Sequence, residues 1–243
     1  SFCSGLTGIE IPAGVESIRE GAFRGCSGLT GISVESGNLV YKSDGDCLIR
    51  KSDNALVLGC QDSVIPDYVT SIGDYAFFGC SGLASVTIPA DATSIGDHAF
   101  RGCNGLTSIN TPGNVTDIGD YAFRDCSGLT SVIFEPGSFL TSIGSYAFQG
   151  CYGLTSITIP SSVTSIGYSA FRGCSGLTGI SVESGNPVYK SDGECLIRKS
   201  DNTLILGCQE SVIPDYVESI GDAAFAGCSG LTDIIIPTSV TSI

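Results

Sequence analysis

Cys151-Tyr-Gly-Leu-Thr-Ser-Ile-Thr-Ile-Pro160, Ser161-Ser-Val-Thr-Ser-Ile-Gly167 and Tyr168-Ser-Ala-Phe-Arg-Gly173 run on without a break, and Cys174 opens the same phrase again. Outward from this stretch the cysteines keep time. With Cys47, Cys60, Cys195 and Cys208 set aside, they fall at 3, 26, 80, 103, 126, 151, 174 and 228, in steps of 23, 54, 23, 23, 25, 23 and 54. A fixed period in the twenties is the mark of a solenoid of stacked coils. About ten coils fit the chain. A second period overlies the first, because residues 31–95 recur at 179–243, an offset of 148. Residues 31–80 differ from their copy at eight positions, among them Leu39/Pro187, Asp46/Glu194, Tyr75/Ala223 and Phe78/Ala226. The chain therefore reads as a single solenoid over 1–243, about one and two-thirds copies of a 148-residue module. Its opening, Ser1-Phe2-Cys3-Ser4-Gly5-Leu6, begins inside a unit, so a fragment of a longer array is expected.

Within a unit the pattern is local chemistry. Ile157 and Ile159 alternate with Ser156 and Thr158, which predicts a short strand with one buried side. Pro160 ends it, having no N–H for a ladder. Val163-Thr-Ser-Ile166 predicts a second short extended piece. The Asp that follows the next Gly in several units (Asp74, Asp97, Asp120, Asp222) predicts a capped 3₁₀ or one-turn helix, as in Asp120-Tyr-Ala-Phe-Arg124. Gly79, Gly102, Gly150 and Gly173 suit a left-handed exit, and Ala122 and Phe123 should pack inward. No unit can bury its own apolar stripe, and only stacking closes the core.

The run Ile-Pro-x-x-Val-Thr-Ser-Ile-Gly-x-x-Ala-Phe-x-Gly-Cys-x-Gly-Leu-Thr-Ser-Ile resembles the BspA-like (Treponema-type) leucine-rich repeats over nearly the whole chain. The longer insert, Ser184-Gly-Asn-Pro-Val-Tyr-Lys-Ser-Asp-Gly193 with Cys195 through Cys208, resembles that family too, with Leu39 against Pro187 as one departure. Read from its residues, the insert is two apolar runs about a Lys-Ser-Asp-Asn turn, a β-hairpin, present twice. The resemblance implies a leucine-rich-repeat solenoid: a curved right-handed stack with short parallel strands on its concave side. It also implies secreted or cell-surface proteins of host-associated bacteria and some protists, linked to adhesion and partner binding.

Composition narrows the function. There are 11 basic and 25 acidic residues, a net charge of −14. Nucleic acid is excluded as a partner, because binding it needs clustered Lys and Arg. No apolar run approaches the ~18 residues of a membrane-spanning helix, so no direct membrane insertion is expected.

Twelve cysteines, one histidine and no Trp or Met leave little for catalysis or metal binding. The cysteines at repeat spacing predict a ladder of buried, inert thiols whose parallel side chains disfavour bridging. Cys47 with Cys60, and Cys195 with Cys208, stand open between a cross-strand disulfide and free thiols. His98 fills a slot taken elsewhere by Tyr75, Tyr121, Tyr146, Ser169 and Ala223, a variable surface position with no triad partner. Asp44-Gly45-Asp46 reads as a plain turn, lacking the further ligands of a calcium loop. Asn114-Val115-Thr116 is a glycosylation sequon, meaningful only in a secreted eukaryotic protein. No cofactor, metal or catalytic residue is expected.

Two strips remain as binding candidates. On the concave strands the outward residues are Ser85, Thr87, Ser108, Asn110, Ser131, Ser156 and Thr158. The turn edge carries the Tyr and Arg that hot spots favour: Tyr75, Arg101, Tyr121, Arg124, Tyr146 and Arg172. The combined expectation is a non-catalytic extracellular scaffold for interaction or adhesion, secreted or at the cell surface, its partner a protein or glycan. The alternative is a structural filament or stalk that self-associates end to end through uncapped coils.

Overall fold

A computed structural model describes residues 3–243, so Ser1 and Phe2 lie outside the described residues. The chain winds into a β-solenoid of about eight coils, fewer than the period suggested because the inserts consume chain without completing a coil. One face of the stack carries the Leu-x-x-Ile-x-Ile strands. Gly8–Ile11 pairs in parallel with Gly31–Val34, Ser108–Thr111 with Ser131–Phe134, and Ser156–Ile159 with Gly179–Val182. Along Ser156–Ile159 the two Ile are buried while Ser156 and Thr158 are exposed, as the alternation requires. The unit with Ser85 and Thr87 departs from this, forming no hydrogen-bonded strand although both side chains face solvent.

A second face is a run of two-residue strands, Ser71–Ile72, Ser94–Ile95, Asp117–Ile118, Ser142–Ile143 and Ser165–Ile166, each parallel to the next. Here Thr93, Thr116, Thr141 and Thr164 each donate their hydroxyl to the carbonyl of the Thr one coil back. Gly167 at the end of this face serves close approach. A Cβ there would lie 2.4 Å from Ser145 N and 2.6 Å from the Gly144 carbonyl carbon.

The turn side corrects the expected helices. Residues 120–125 form consecutive turns and no helix, because Tyr121 takes a left-handed φ of 58°. Its equivalents Tyr75, His98, Tyr146, Ser169 and Ala223 do the same. That frees alternate N–H groups to point at the next coil: Tyr121 N donates to Ser145 O at 2.9 Å and Phe123 N to Ala147 O at 2.7 Å. The Asp carboxylates cap the neighbouring coil instead of their own turn. Asp74 Oδ1 accepts from Asp97 N, Asp97 Oδ1 from Asp120 N and Asp120 Oδ1 from Ser145 N, at 2.6–2.7 Å. Gly79, Gly102, Gly150 and Gly173 do take positive φ; Asp125 holds the same place in its coil at 61°.

Inside, Ala122 and Phe123 are fully buried, as expected. The rings of Phe77, Phe100, Phe123, Phe148 and Phe171 stack with centroids 5.1–5.3 Å apart and planes within 7°. This column is the spine of the core.

Each insert is a three-stranded meander, one strand more than the hairpin expected. Tyr41–Asp44 pairs antiparallel with Cys47–Arg50, which pairs antiparallel with Ala55–Leu58, and that strand lies parallel to Ser71–Ile72. The second insert repeats this with Tyr189–Asp192, Cys195–Arg198 and Thr203–Leu206 against Ser219–Ile220. Gly45 and Asp46, at φ 58° and 55°, make the tight first turn. Cys47, Leu48 and Ile49 are all fully buried because both faces of the strand are covered. Leu48 packs into the amino-terminal cluster, and Cys47 and Ile49 into the main core.

Buried Asn38 and Asn186, unremarked in the sequence, pin each meander to the coil before it. The amide of Asn38 donates to Pro12 O and Val15 O, and its oxygen accepts from Val40 N and Tyr41 N. Asn186 makes the same four bonds with Pro160, Val163, Val188 and Tyr189. Both Asn side chains supply hydrogen bonds where the meander interrupts the backbone ladder.

Candidate interaction surface

On the strand face, Ser85, Thr87, Ser108, Asn110, Ser156 and Thr158 are exposed, and Ser131 is half-buried. The paired strands hold these side chains in register. Ser108 faces Ser131, Asn110 faces Ile133, and Thr158 faces Ser181. Part of the polarity is internally spent, with Thr158 and Ser181 hydroxyls 2.8 Å apart and Asn110 Nδ2 reaching Glu135 Oε1 at 3.4 Å. Ile133 breaks the hydroxylic run and is 53% exposed.

The turn edge brings its residues together more tightly than a surface slot requires. Tyr75, His98, Tyr121 and Tyr146 stack, with centroids 4.7, 4.7 and 5.0 Å apart and planes within 14°. Stacked rings offer edges and not faces, so these aromatics are half-buried structural parts. Arg101 lies over the Phe78 ring and Arg124 over Tyr121. Both guanidinium groups also approach the Asp125 carboxylate, at 3.6 and 3.3 Å. His98 Nδ1 is buried without a hydrogen-bond partner among the described residues. Burial, aided by the charge of Arg101, holds its pKa below the ordinary histidine value.

Two aromatics on this side are exposed, Tyr168, which meets Tyr146 edge-on, and Tyr152, the residue that replaces Ser after the column cysteine. Tyr152 is 57% exposed and shares a shallow depression with Arg124, Gln149 and Arg172. In the preceding coil Phe139 is 63% exposed, which the repeat pattern alone does not single out.

The thiols are internal. Cys103, Cys126, Cys151 and Cys174 donate to the carbonyls of Phe77, Phe100, Phe123 and Phe148 at 3.1–3.2 Å. Burial pushes the Cys80, Cys126 and Cys174 thiols up to about 12. The ladder loosens at its ends, with Cys3 exposed and Cys228 half-buried. Cys47, Cys60, Cys195 and Cys208 are free, buried thiols. Cys47 Sγ points to Gly45 O and Val64 O, while Cys60 Sγ points to Asp46 O. Asp44 of the turn accepts from the Tyr68 hydroxyl at 2.8 Å, and Lys42 Nζ lies 4.0 Å from that ring. Asn114 of the sequon is exposed and donates to Ala90 O.

Parallel coils of this period, a buried Phe and Cys spine and strand faces in register define a leucine-rich-repeat solenoid. The chain belongs to the BspA-type leucine-rich-repeat family: six copies of that repeat region match residues 1–44, 58–183 and 206–243. The unmatched residues, 45–57 and 184–205, fall in the two meanders. Among solved structures, the chain is similar to a leucine-rich-repeat protein from Eubacterium ventriosum, with a TM-score of 0.68 at 24% identity. It is similar to a leucine-rich cell surface protein from Faecalibacterium prausnitzii, with a TM-score of 0.67 at 28% identity. It covers 97% and 98% of its own length in these matches but only 56% of either bacterial chain. A leucine-rich-repeat protein of T. pallidum matches at a TM-score of 0.54 and 26% identity, over 80% of each chain. No curated protein matches the sequence. Among the described residues no helix is long and apolar enough to cross a membrane.

Proposed function

We propose that this chain is a non-catalytic scaffold that binds a protein or glycan at a cell surface or in a secreted setting. The observation that carries the proposal is the Tyr152 depression: an exposed tyrosine between Arg124 and Arg172, the residue types on which binding energy concentrates. The strand-face column of Ser108, Asn110, Ser156 and Thr158 extends the contact to further coils. Net charge −14 directs the partner away from nucleic acid and anionic lipid. The neighbour from Faecalibacterium, named for the cell surface, supports the setting.

The test is capture of surface and glycan ligands by the whole chain, by Tyr152→Ser, and by variants lacking whole coils from one end. Scaffold binding is expected to weaken with each coil lost and to fall further with Tyr152→Ser. Abrupt loss on removing 184–208 would move the site to that insert. A protein that captured nothing and instead polymerised through its ends would favour the structural filament.

A further inference from the structure

Two clefts of about 280 and 250 Å³ open on the turn side where the stack steps past each meander. They are one feature present twice. Phe23, Arg24, Arg50 and Asp74 of the first lie 148 residues before Phe171, Arg172, Arg198 and Asp222 of the second.

The cause is a gap in the turn column. Between ordinary coils three alternate N–H groups reach three carbonyls of the next coil, as Tyr75, Phe77 and Gly79 reach Asp97, Ala99 and Arg101. A meander supplies strands but no such turn. Gly25 N and Gly173 N still reach across it, to Phe78 O and Ala226 O. Ala76 O and Ala224 O are taken by Gly59 N and Gly207 N of the meanders. Gly21 N, Phe23 N, Ser169 N and Phe171 N are left without an acceptor among the described residues, and all four residues line the clefts. Gly21 and Ser169 have φ of 66° and 52°. At the equivalent left-handed residue Tyr121, N–H groups two apart turn to the same side, Tyr121 N to Ser145 O and Phe123 N to Ala147 O, and backbone N–H groups turned together in this way can take an anion. Elsewhere in the stack each of these N–H groups takes its own carbonyl oxygen.

Arginines gather at the same place. Five of the chain's 11 basic residues line these clefts: Arg19, Arg24 and Arg50 in one, Arg172 and Arg198 in the other. Glu20 and Asp74 line the first and Asp222 the second, equal in number to the arginines there besides Arg50 and Arg198. Arg50 and Arg198 are held by Asp53 and Asp201 at 2.7 Å. The Ser169 hydroxyl is buried in the second cleft with no partner among the described residues.

We propose that each cleft binds a carboxylate, its oxygens accepting from Ser169 N and Phe171 N, or from Gly21 N and Phe23 N. The neighbouring arginines supply the counter-charge. The site does not depend on the scaffold reading, and its ligand is either a small free acid or the carboxylate of a polypeptide.

The test is a titration of the isotope-labelled full chain with sodium acetate, against sodium chloride at equal ionic strength, followed by amide NMR shifts. Saturable shifts are expected at Gly21, Phe23, Ser169 and Phe171. Tyr121 and Phe123, whose N–H groups are already bonded, should stay still. Arg172→Gln should weaken acetate at the second cleft about tenfold, the loss of one charge-assisted contact. The first cleft should bind unchanged, which also reports that the variant is folded. A short peptide with a free carboxyl terminus, compared with its amide, separates the sources. Tighter binding than acetate assigns a polypeptide terminus, and equal binding assigns a free acid. Equal shifts in chloride, non-saturating shifts, or binding of sulfate without acetate would overturn the proposal.

Discussion

The Cys126 thiol lies 3.1 Å from the carbonyl oxygen of Phe100, 26 residues earlier in the preceding coil. Cys103, Cys151 and Cys174 do the same, each thiol aimed at a backbone oxygen and not at its neighbouring thiol. A small, weakly polar side chain suits the place: it fills the core and still satisfies a carbonyl.

Thiol chemistry should follow from that. Cys103, Cys126 and Cys151 are expected to react with a thiol reagent only on unfolding, since burial raises their pKa and suppresses thiolate. Cys3, exposed, should react at once. Mass spectrometry of the labelled native protein reads the order, and a Cys103–Cys126 disulfide would sink the ladder.

Phe123→Ala should cost about 3–5 kcal/mol, because a fully buried ring leaves a cavity in the spine. Tyr121→Ala should cost less, about 1–2 kcal/mol, as its ring is half-buried and loses chiefly stacking. Denaturant melts of the two variants give the order, and the reverse order would mean inside and outside have been exchanged.

Gly59→Ala should be among the worst single substitutions. A Cβ there would lie 2.1 Å from Cε1 of Phe77, a ring locked in the spine with no room to move. A loss above about 3 kcal/mol, or failure to fold, is expected. Gly31→Ala is the control, with nothing within 4 Å of its Cβ, and should change stability by less than about 0.5 kcal/mol. Similar melting points for the two variants would contradict the packing described.

His98 carries a pH dependence of known sign. Its folded pKa is depressed below the ordinary 6.5 by burial and Arg101. Folding therefore favours the neutral ring, and the unfolded chain takes up protons first as pH falls. The His98 contribution is complete above the unfolded pKa, declines as pH drops through that value, and is lost below the folded pKa. His98→Tyr, which restores the residue found at Tyr75 and Tyr121, should flatten the stability profile over the acid range that begins at the ordinary histidine pKa. Thermal melts across that range check it, and an unchanged slope would place the proton elsewhere.

Much of this was legible in single residues. The inward positions of Phe123, Ala122, Ile157 and Cys126 follow from spacing alone, because a repeated unit must bury the same side every time. The outward Ser108 and Thr158 follow from period-two alternation. What failed was anything needing a partner from another coil. Asp120 looked like a cap for its own turn, since Asp before a helix-like run ordinarily is one. Its carboxylate instead accepts from Ser145 N, 25 residues away. Tyr41-Lys-Ser-Asp44 carries no apolar alternation, so nothing in its own residues marks it as a strand. Asn38 gave no signal at all, being one polar residue in a loop.

The sequence by itself determined the coil, its period, its buried side and its duplication, because these are set by short-range stereochemistry and by which side chains avoid water. Tertiary structure alone decided which backbone groups meet. The left-handed φ of Tyr121 sends its N–H to Ser145 O, and the meander between Gly25 and Gly79 leaves Gly21 N and Phe23 N facing a cleft. Hydrogen-bond partners depend on distance and direction across the stack. Those quantities exist only once neighbouring coils have settled into register.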